Sequence, residues 1–457
     1  MPSIVDVLMK FLHLADIHLG CRRYNLDERT RDFFRAWYDI IVKHAIPEKV
    51  DFVLIAGDFF DRRNIDPQAM NHAIAGLEVL REAGIPVVAI EGNHDQRDAV
   101  SEFSWMRSLS SWGYLKLLEP IHSGGGLPDL EPWDENERTG SYIDIANARI
   151  FGSLWYGASA SAAIPLLAEA LRGATVDGRF NILMLHTDVE GQTNRPIPAL
   201  PIAKLKELKG LTHYVALGHT HKRFEIENWA FNPGALEPTS IDEYKDERGA
   251  YIVEVSNSFE VNVSHLRDYV QRPFQRVSFD VSGVEDTASV LAGVLQTVKR
   301  EVRPYDSAGD DPAPIVEIML RGHLGFKNSL LQVNRMRDEA RSLTGALHVM
   351  IRNQSVPVEY AVAADMELQA PRRERERRIL EDLIFRDNRF KARAKEFADL
   401  VMESKRLALA NESPARIVEL IEQKLDWTGD NPGVESELTE SAVTPGALSA
   451  IERNASP

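Results

Sequence analysis

Five short apolar runs in this chain end abruptly in groups that are costly to bury. "IPVVAIEGNHDQR" (85–97) is largely apolar as far as Ile90 and then presents Asn93, His94 and Asp95. "KFLHLADIHLG" runs from Phe11 to Ala15 and delivers Asp16 and His18, and "VDFVLIAGDFFD" runs from Phe52 to Ala56 and delivers Asp58 and Asp61. "FNILMLHTD" delivers His186, and "THYVALGHTHK" delivers His219 and His221. A single core strand running out into solvent would account for one such ending; the repetition is what constrains the fold. Short apolar runs bounded by Gly and polar residues, separated by helical patterns near 28–46, 67–83, 101–112 and 159–171, predict buried strands of an α/β sheet. Ligands of such sheets gather at the carboxyl ends of the strands. The five ends therefore predict one shared site.

The groups delivered there are Asp16, His18, Asp58, Asn93, His186, His219 and His221. Imidazoles and carboxylates without cysteine suit Mn, Fe or Zn in a catalytic rather than a structural site. The set is too large for one tetrahedral ion and suits two. Two divalent ions roughly 3.5–4 Å apart clamp a phosphoryl group and lower the pKa of a shared water. A carboxylate has two oxygens, which makes Asp58 the natural bridge. A lone His is more often a satisfied polar group, and His44, His72, His122, His265, His323 and His348 lie in no such context.

A chain of 457 residues predicts two or three domains. Its 44% hydrophobic and 27% charged residues fit an ordinary soluble globular protein. The single cysteine, Cys21, excludes an intrachain disulfide, fits a reducing cytosol and reads as a packed small residue. No apolar stretch approaches the ~20 residues of a membrane span, and Asp16 and His18 interrupt the first apolar run, so no signal peptide is expected. A formal net charge of −16 argues against indiscriminate binding to nucleic acid but not against a local basic surface. Such a surface is offered by 372–395, where ten Arg or Lys face five acids. A solvated helix face is the default for this run; DNA or an acidic partner is the functional alternative.

Residues 9–270 carry all five motifs. "HSGGGLPDLEPWDENERTG" (122–140) reads as a surface loop. After His221, "RFEIEN", "WAFNPGAL", "GAYIVEV" and "FEVNVSHL" predict a second, antiparallel-leaning sheet. Residues 275–355 alternate β-α-β-α-β as a small α+β domain, 356–370 form a linker, 371–426 are helical, and 427–457 have a disordered composition.

D-x-H, G-D-x-x-D, G-N-H-D, a lone His after an apolar strand, and G-H-x-H, in that order, resemble the calcineurin-like metallophosphoesterases. "KFLHLADIHLG", "NPGALEPTSIDEYKDERGAYIVEV", the β-α-β-α-β unit and the helical C-terminus narrow the resemblance to SbcD-type nuclease subunits of double-strand-break repair. That resemblance implies a β-sandwich flanked by helices, a capping domain that contacts DNA and C-terminal partner-binding helices. It places Asp16, His18, Asp58 and His221 on one metal, and Asn93, His186, His219 and the shared Asp58 on the other. His94 would stabilise the transition state rather than bind metal. Asp95 would orient an imidazole from behind the ligands. Many relatives carry His where Asp61 stands, so Asp61 is also placed behind the ligands. Family members begin with the strand that leads to D-x-H, so residues 1–8, ahead of Met9, are expected to be dispensable.

The implied activity is a Mn2+-dependent DNA nuclease, a 3′-to-5′ exonuclease on duplexes and an endonuclease on single strands or hairpins, in the cytoplasm with the nucleoid. A phosphatase or small-molecule phosphodiesterase of the same fold is the alternative, since "GDFFDR" sets Arg62 where protein phosphatases meet phosphate. A non-catalytic recruiting module is a third reading, against which the intact ligand set counts. Phe103, Trp105, Met106, Leu109 and Trp112 crowd apolar bulk after His94, where family members dimerise. Ile379, Leu380, Leu383 and Ile384, then Phe397, Leu400 and Val401, then Ile417, Leu420, Ile421 and Leu425 make apolar patches at helical spacing. These suit docking onto a partner, which the resemblance identifies as an SbcC-type coiled-coil ATPase.

Overall fold

In the computed structural model, which describes residues 7–97, 103–121, 126–193, 198–307, 309, 311–357, 371–385, 387, 389–410 and 412–425, the apolar runs become strands with two buried faces. β1 (Val7–Leu14), β2 (Phe52–Ala56), β3 (Val87–Ile90) and β4 (Lys116–Leu117) run parallel in one sheet. β5 (Tyr142–Ile145), β6 (Ala148–Phe151), β7 (Phe180–His186), β8 (Tyr214–Gly218), β9 (Phe224–Ile226) and β10 (Ala230–Asn232) form a second sheet, in the order β5-β6-β7-β8-β10-β9. β11 (Ala250–Ser256) and β12 (Val261–Leu266) return to the first, whose order is β12-β11-β1-β2-β3-β4.

Alternate residues of each strand enter different cores. Phe52, Leu54 and Ala56 meet Ile182, Met184 and Tyr214 between the sheets. Val53 and Ile55 instead pack with Ala36, Trp37, Leu77 and Met106 from α1 (Asp27–Ile40), α2 (Pro67–Glu82) and α3 (Trp105–Ser111). Leu183 and Leu185 pack under α4 (Ala160–Ala174) and α5 (Ile202–Leu205). Helices thus cover both outer faces of a two-sheet sandwich, and a strand apolar on both sides reads as a continuous apolar run. α2 starts where the sequence supplies a cap: the Asp66 carboxylate accepts from Ala69 N at 2.8 Å and Pro67 opens the first turn.

Two sequence expectations change here. The ligand-bearing strands do not share one sheet; β1, β2 and β3 belong to the first and β7 and β8 to the second. The four strands after His221 do not make a separate sheet either. β9 and β10 extend the second sheet, while β11 pairs antiparallel with β1 and carries β12 with it. Beside β1, Tyr251, Val253 and Val255 fill the space between the sheets. β1 itself begins at Val7, which pairs with Ser256. The register Leu14↔Ile55, Ala56↔Ile90 and His186↔Gly218 sets the strand ends level within each sheet.

Further on, β13 (Phe274–Asp280), α6 (Thr287–Glu301), β14 (Ile315–Arg321), β15 (His323–Leu324), α7 (Val333–Thr344), β16 (His348–Asn353) and β17 (Val356–Pro357) follow. β13, β14 and β16 form a three-stranded sheet, and β15 pairs with β17. The chain groups into two compact units. One holds the described residues of Met1–Asp280, Ala288–Leu320 and Gln332–Gln354, and the other those of Val281–Thr287, Arg321–Leu331 and Ser355–Pro457.

The second unit contains α8 (Arg372–Phe385), α9 (Ala394–Leu409) and α10 (Pro414–Leu425). Arg377–Asp399 and Lys405–Glu376 ion pairs join α8 to α9. Ile379 and Leu383 are exposed, and Ile384, Phe397, Leu400, Ile417, Leu420 and Ile421 are half-buried. Arg377, Arg378, Arg389 and Arg393 of the basic run are paired with carboxylates inside this unit. On α3 and beside it, Met106 and Leu109 are core, whereas Phe103, Trp105 and Trp112 are exposed. The 427–457 tail and most of the 356–370 linker lie outside the described residues.

A buried ion network ties α1 to the segment after β10. Arg29, fully buried, donates to Asp32 (2.7 Å), Glu237 (3.0 Å) and the Pro238 carbonyl (2.7 Å). Arg272 donates to both oxygens of Asp32 and, through its backbone N–H, to Glu237. Removing one partner of such a group leaves a buried charge uncompensated. Arg29→Ala is expected to cost about 3–5 kcal/mol of stability, read as a shift of the urea midpoint, while Arg22→Ala, on the exposed side of the same region, stays near wild type.

Candidate metal centre

The seven sequence-predicted ligands come together where the two sheets' strand ends meet. His18 Nε2 lies 3.0 Å from His221 Nε2 and 4.0 Å from Asp16 Oδ1. His186 Nε2 lies 3.2 Å from Asn93 Oδ1, and His219 Nδ1 is 2.8 Å from that same oxygen. Asp58 Oδ2 is 3.3 Å from His186 Nε2 and 3.9 Å from His18 Nε2. Asp58 therefore stands between the two groups. Two ligands about 2.1 Å from one ion and at right angles sit about 3 Å apart, so these spacings fit donors around cations. Asp16, His18, Asp58 and His186 are at most 1% exposed. Burying this many polar groups needs a compensating charge, and the donor set suits divalent ions.

The backbone bends sharply to deliver these side chains. Asp16 (φ 52°), His18 (φ 50°), Asp58 (φ 51°) and His219 (φ 89°) are left-handed, each at a cost of about 1–3 kcal/mol. Hydrogen bonds hold the bends in place: Asp16 N donates to Gly57 O, His18 N to Asp58 O, and His219 N to the Asp16 carboxylate at 3.0 Å. Glycines make room. A Cβ on Gly92 would fall 2.1 Å from Asp58 Oδ1, and one on Gly57 2.3 Å from His186 Nδ1.

Behind each ligand imidazole stands an oxygen at the outer nitrogen. His186 Nδ1 donates to Ala56 O at 2.8 Å. His219 Nε2 faces Asp188 Oδ2 at 3.4 Å, and His221 Nδ1 donates to Glu243 Oε1 at 3.0 Å. His18 Nδ1 faces Asp61 Oδ1 at 3.7 Å. The hydrogen bonds to Ala56 and Glu243 fix the tautomers of His186 and His221 and leave the inner nitrogen free to ligate, whereas the buried His18 Nδ1 has no hydrogen-bond partner among the described residues. Burial drives His18 far down, which keeps it neutral, whereas for His186 the Asp58 charge overcomes burial and raises it to about 9. Burial would raise Glu243, but the His221 hydrogen bond holds it well below the usual carboxylate range.

Asp188 and Glu243 escaped the sequence reading. Asp188 carried a signal, since it follows His186 by two residues in "HTD". Glu243 carried none, because its partner is twenty-two positions away. Asp95 holds backbone rather than an imidazole in its hydrogen bonds among the described residues. Its carboxylate accepts from Phe59 N (2.6 Å), Phe60 N (3.3 Å) and Gly92 N (2.7 Å), and so pins the loop after β2 to the loop after β3. His13, close to the first motif, belongs to the core. It bonds the Tyr214 hydroxyl and Leu217 O, and burial lowers it to about 3.

His94 sits at the edge of the cluster, partly exposed. Its N–H donates to Asp58 Oδ1 at 2.9 Å, and its Nδ1 donates to the Asp61 carbonyl at 2.7 Å. A ring nitrogen still lies within 4.8 Å of ligand atoms of His18 and Asp58. Asp61 Oδ2 is 3.5 Å from the exposed Arg62 guanidinium. Cys21 is buried, its thiol pushed up to about 12 by burial and by Asp61, which leaves it unreactive.

Gly92→Ala tests the crowding around Asp58. It is expected to destabilise the fold by about 1–3 kcal/mol and to weaken Mn2+ binding measured by calorimetry; wild-type affinity in this variant would show that the Asp58 carboxylate can move aside.

The calcineurin-like phosphoesterase model matches residues 9–223. A DNA double-strand break repair protein Mre11 from Sulfolobus acidocaldarius is 27% identical over 345 residues, 72% of this chain and 80% of the relative. The protein of the same name from Aeropyrum pernix is 25% identical over 352 residues, 75% and 79% of the two chains. The uncharacterized metallophosphoesterase YhaO of Bacillus subtilis is 30% identical over 306 residues, 64% of this chain and 68% of that one. With its paired His and Asp clusters at the strand ends, the chain belongs to the calcineurin-like metallophosphoesterases, hydrolases that work with divalent metal ions.

Proposed function

We propose that this chain is a two-metal DNA nuclease of double-strand-break repair, a 3′-to-5′ exonuclease on duplex DNA and an endonuclease on single strands or hairpins. The observation that carries the reading is the position of Asp58 between two groups of donors; the names of the two archaeal relatives point to DNA. In this reading Asp16, His18, His221 and Asp58 hold one ion, and Asn93, His186, His219 and Asp58 the other, with Mn2+ as the metal. Bound there, two divalent ions supply positive charge to a phosphodiester and acidify water.

The chain's own groups do the rest. The Asp61 carbonyl fixes the proton of His94 on Nδ1, so Nε2 is the atom that meets the phosphate and, when protonated, donates to the leaving oxygen. Asp188 and Glu243 keep His219 and His221 in their ligating tautomers. Asp95 holds the two loops that carry Asp58 and Asn93 together.

Around this centre we assign 9–270 to the chemistry, 275–355 to a cap that contacts DNA, and 371–426 to an SbcC-type ATPase, with 356–370 as linker and 427–457 as tail. Exposed Ile379 and Leu383 supply the partner surface, and exposed Phe103, Trp105 and Trp112 a surface for a second copy of the chain. A nucleoid-associated cytoplasmic location follows from the substrate; among the described residues no helix is long and apolar enough to cross a membrane.

The test is Mn2+-dependent degradation of linear duplex DNA. Asp58→Asn is expected to abolish it, whereas His94→Gln keeps two-metal binding by calorimetry and lowers turnover by about 10²–10⁴-fold. Loss of a metal in His94→Gln would overturn the division of roles. Hydrolysis of phosphomonoesters in place of DNA would favour the phosphatase reading, which exposed Arg62 beside Asp61 supports.

Removal of residues from 366 onward is expected to leave a Mn2+-dependent nuclease on single-stranded DNA that no longer binds the ATPase or cuts duplex ends with ATP. Retained co-purification with the ATPase would place the contact elsewhere.

A further inference from the structure

The short 3₁₀ turn Ile241–Glu243 carries two adjacent acids with different partners. Glu243 points inward. It takes the His221 Nδ1 hydrogen bond at 3.0 Å and is held by Thr239 N (2.9 Å) and Thr239 Oγ1 (2.7 Å). Asp242 points outward, to the three-stranded sheet. Its carboxylate accepts from Arg276 Nη2 on β13 at 2.6 Å, and from both terminal nitrogens of Arg352 on β16 at 3.1 and 3.3 Å.

The two arginines converge again on Glu317 of β14, which is 2% exposed; Arg352 Nε lies 2.8 Å from it and Arg276 Nε also donates to it. Two guanidiniums and two carboxylates balance in charge. The turn has a second tie to the same sheet: the Tyr24 hydroxyl accepts from Ile241 N at 2.7 Å, and its ring stacks on His348 of β16 at 5.8 Å and 21°. Tyr24 comes from the loop that follows Asp16 and His18. All these residues lie within one compact unit.

We propose that this turn is a latch through which the three-stranded sheet positions a metal ligand. When Asp242 is clamped by Arg276 and Arg352, Glu243 is held where it orients His221. When the clamp opens, Glu243 loses that support and the His221 imidazole loosens. Asp242, Arg276 and Arg352 are then positioning residues, none of which touches a reacting atom. The exposed part of the clamp is its Asp242 end: the Asp242 and Arg352 side chains are 59% and 38% exposed, whereas Arg276 and Glu317 are covered. Exposed ion pairs are weak, so the Asp242 contacts can be made and broken while the covered Arg276–Glu317 pair and the fold stay intact. Anything that displaces the sheet, such as DNA lying across it, would thereby change the affinity of one metal site and leave the other alone.

The inference rests on the two-metal reading, and the test separates the two. Mn2+ is titrated calorimetrically into the full-length chain and into the Asp242→Ala, Arg352→Ala, double and Glu243→Ala variants. In parallel, hydrogen exchange of the backbone amides of 239–243 is followed without metal. Glu243→Ala is expected to weaken one of two Mn2+ steps by about 10–100-fold. Asp242→Ala and Arg352→Ala weaken the same step by a smaller factor, the double variant by less than the product of the two, and both singles exchange faster at 239–243. Unchanged exchange at 239–243 in Asp242→Ala overturns the latch whatever the metal count. So does unchanged Mn2+ affinity in Asp242→Ala. A wild-type chain that binds fewer than two Mn2+ overturns the two-metal reading, while the exchange result still decides whether the sheet holds the turn.

Discussion

Four imidazoles, two carboxylates and an amide are crowded into one largely buried cluster, and the rest of the structure follows from making that tolerable. Neighbouring lone pairs at about 3 Å repel unless a positive charge lies between them. Asp58 raises His186 against the effect of burial, whereas burial, with His221 beside it, drives His18 down. Divalent ions satisfy the same need for the whole set at once. Ligands at the ends of several strands can be brought this close only if each chain turns away immediately, and the left-handed Asp16, His18, Asp58 and His219 are those turns. Glycine precedes or faces the crowded positions because no other residue fits beside Asp58 and His186. The strain is localised at the centre, and the buried strands behind it hold the bends in place.

Much of this was legible in the sequence, for a definite reason. Strands buried on both faces leave continuous apolar runs, so the polar residue that ends each one stands out, and all seven predicted ligands meet in the folded chain. What the periodicity could not show was which sheet a strand joins. An apolar run such as "GAYIVEV" satisfies burial in either sheet, and its pairing with β1 is decided by side chains 240 positions earlier in the sequence. The supporting groups were equally hidden. Asp95 sits next to His94 and looks like an imidazole partner, yet its carboxylate faces three backbone N–H groups, because the turn after β3 aims it at the loop after β2. Glu243 lies in a stretch with no pattern of its own and gains its role only from where His221 ends up.

A sandwich with ligands from both sheets has a mechanical consequence. The centre is held between two separately packed halves, with Asp16 and Asp58 on one and His186 and His219 on the other. Relative displacement of the halves would separate the ligands directly. Asp16 resists this, since its carboxylate receives the His219 N–H across the gap, and so does His186 Nδ1 bonded to Ala56 O. The sheets are thus stitched at the site itself, in addition to the apolar core between them. His221 is the exception. Like His219 it lies beyond the end of β8, but the turn that holds its outer nitrogen also contacts the three-stranded sheet, so it is the ligand most open to influence from outside the sandwich.

That exception bears on how a common centre could serve a particular substrate. Fold and metals alone do not choose between a phosphomonoester and a DNA strand; the choice falls to what surrounds the centre and can act on it. Coupling between a surface and a site needs a short, physically continuous element with two arrangements, rather than mere proximity. The turn at 241–243 supplies the continuous element with adjacent residues, one facing the ligand and the other facing the sheet. By contrast, the Arg29–Asp32–Glu237–Arg272 network, although it touches the same segment, is buried and charge-paired throughout, so that opening it would strand a charge out of water. The segment after β10 therefore divides in two. Glu237 anchors it to α1 without freedom, and five residues later Asp242 attaches it to the small sheet by a contact that can open. Rigidity on one side is what lets a weak contact on the other act on His221 instead of dissipating along the chain.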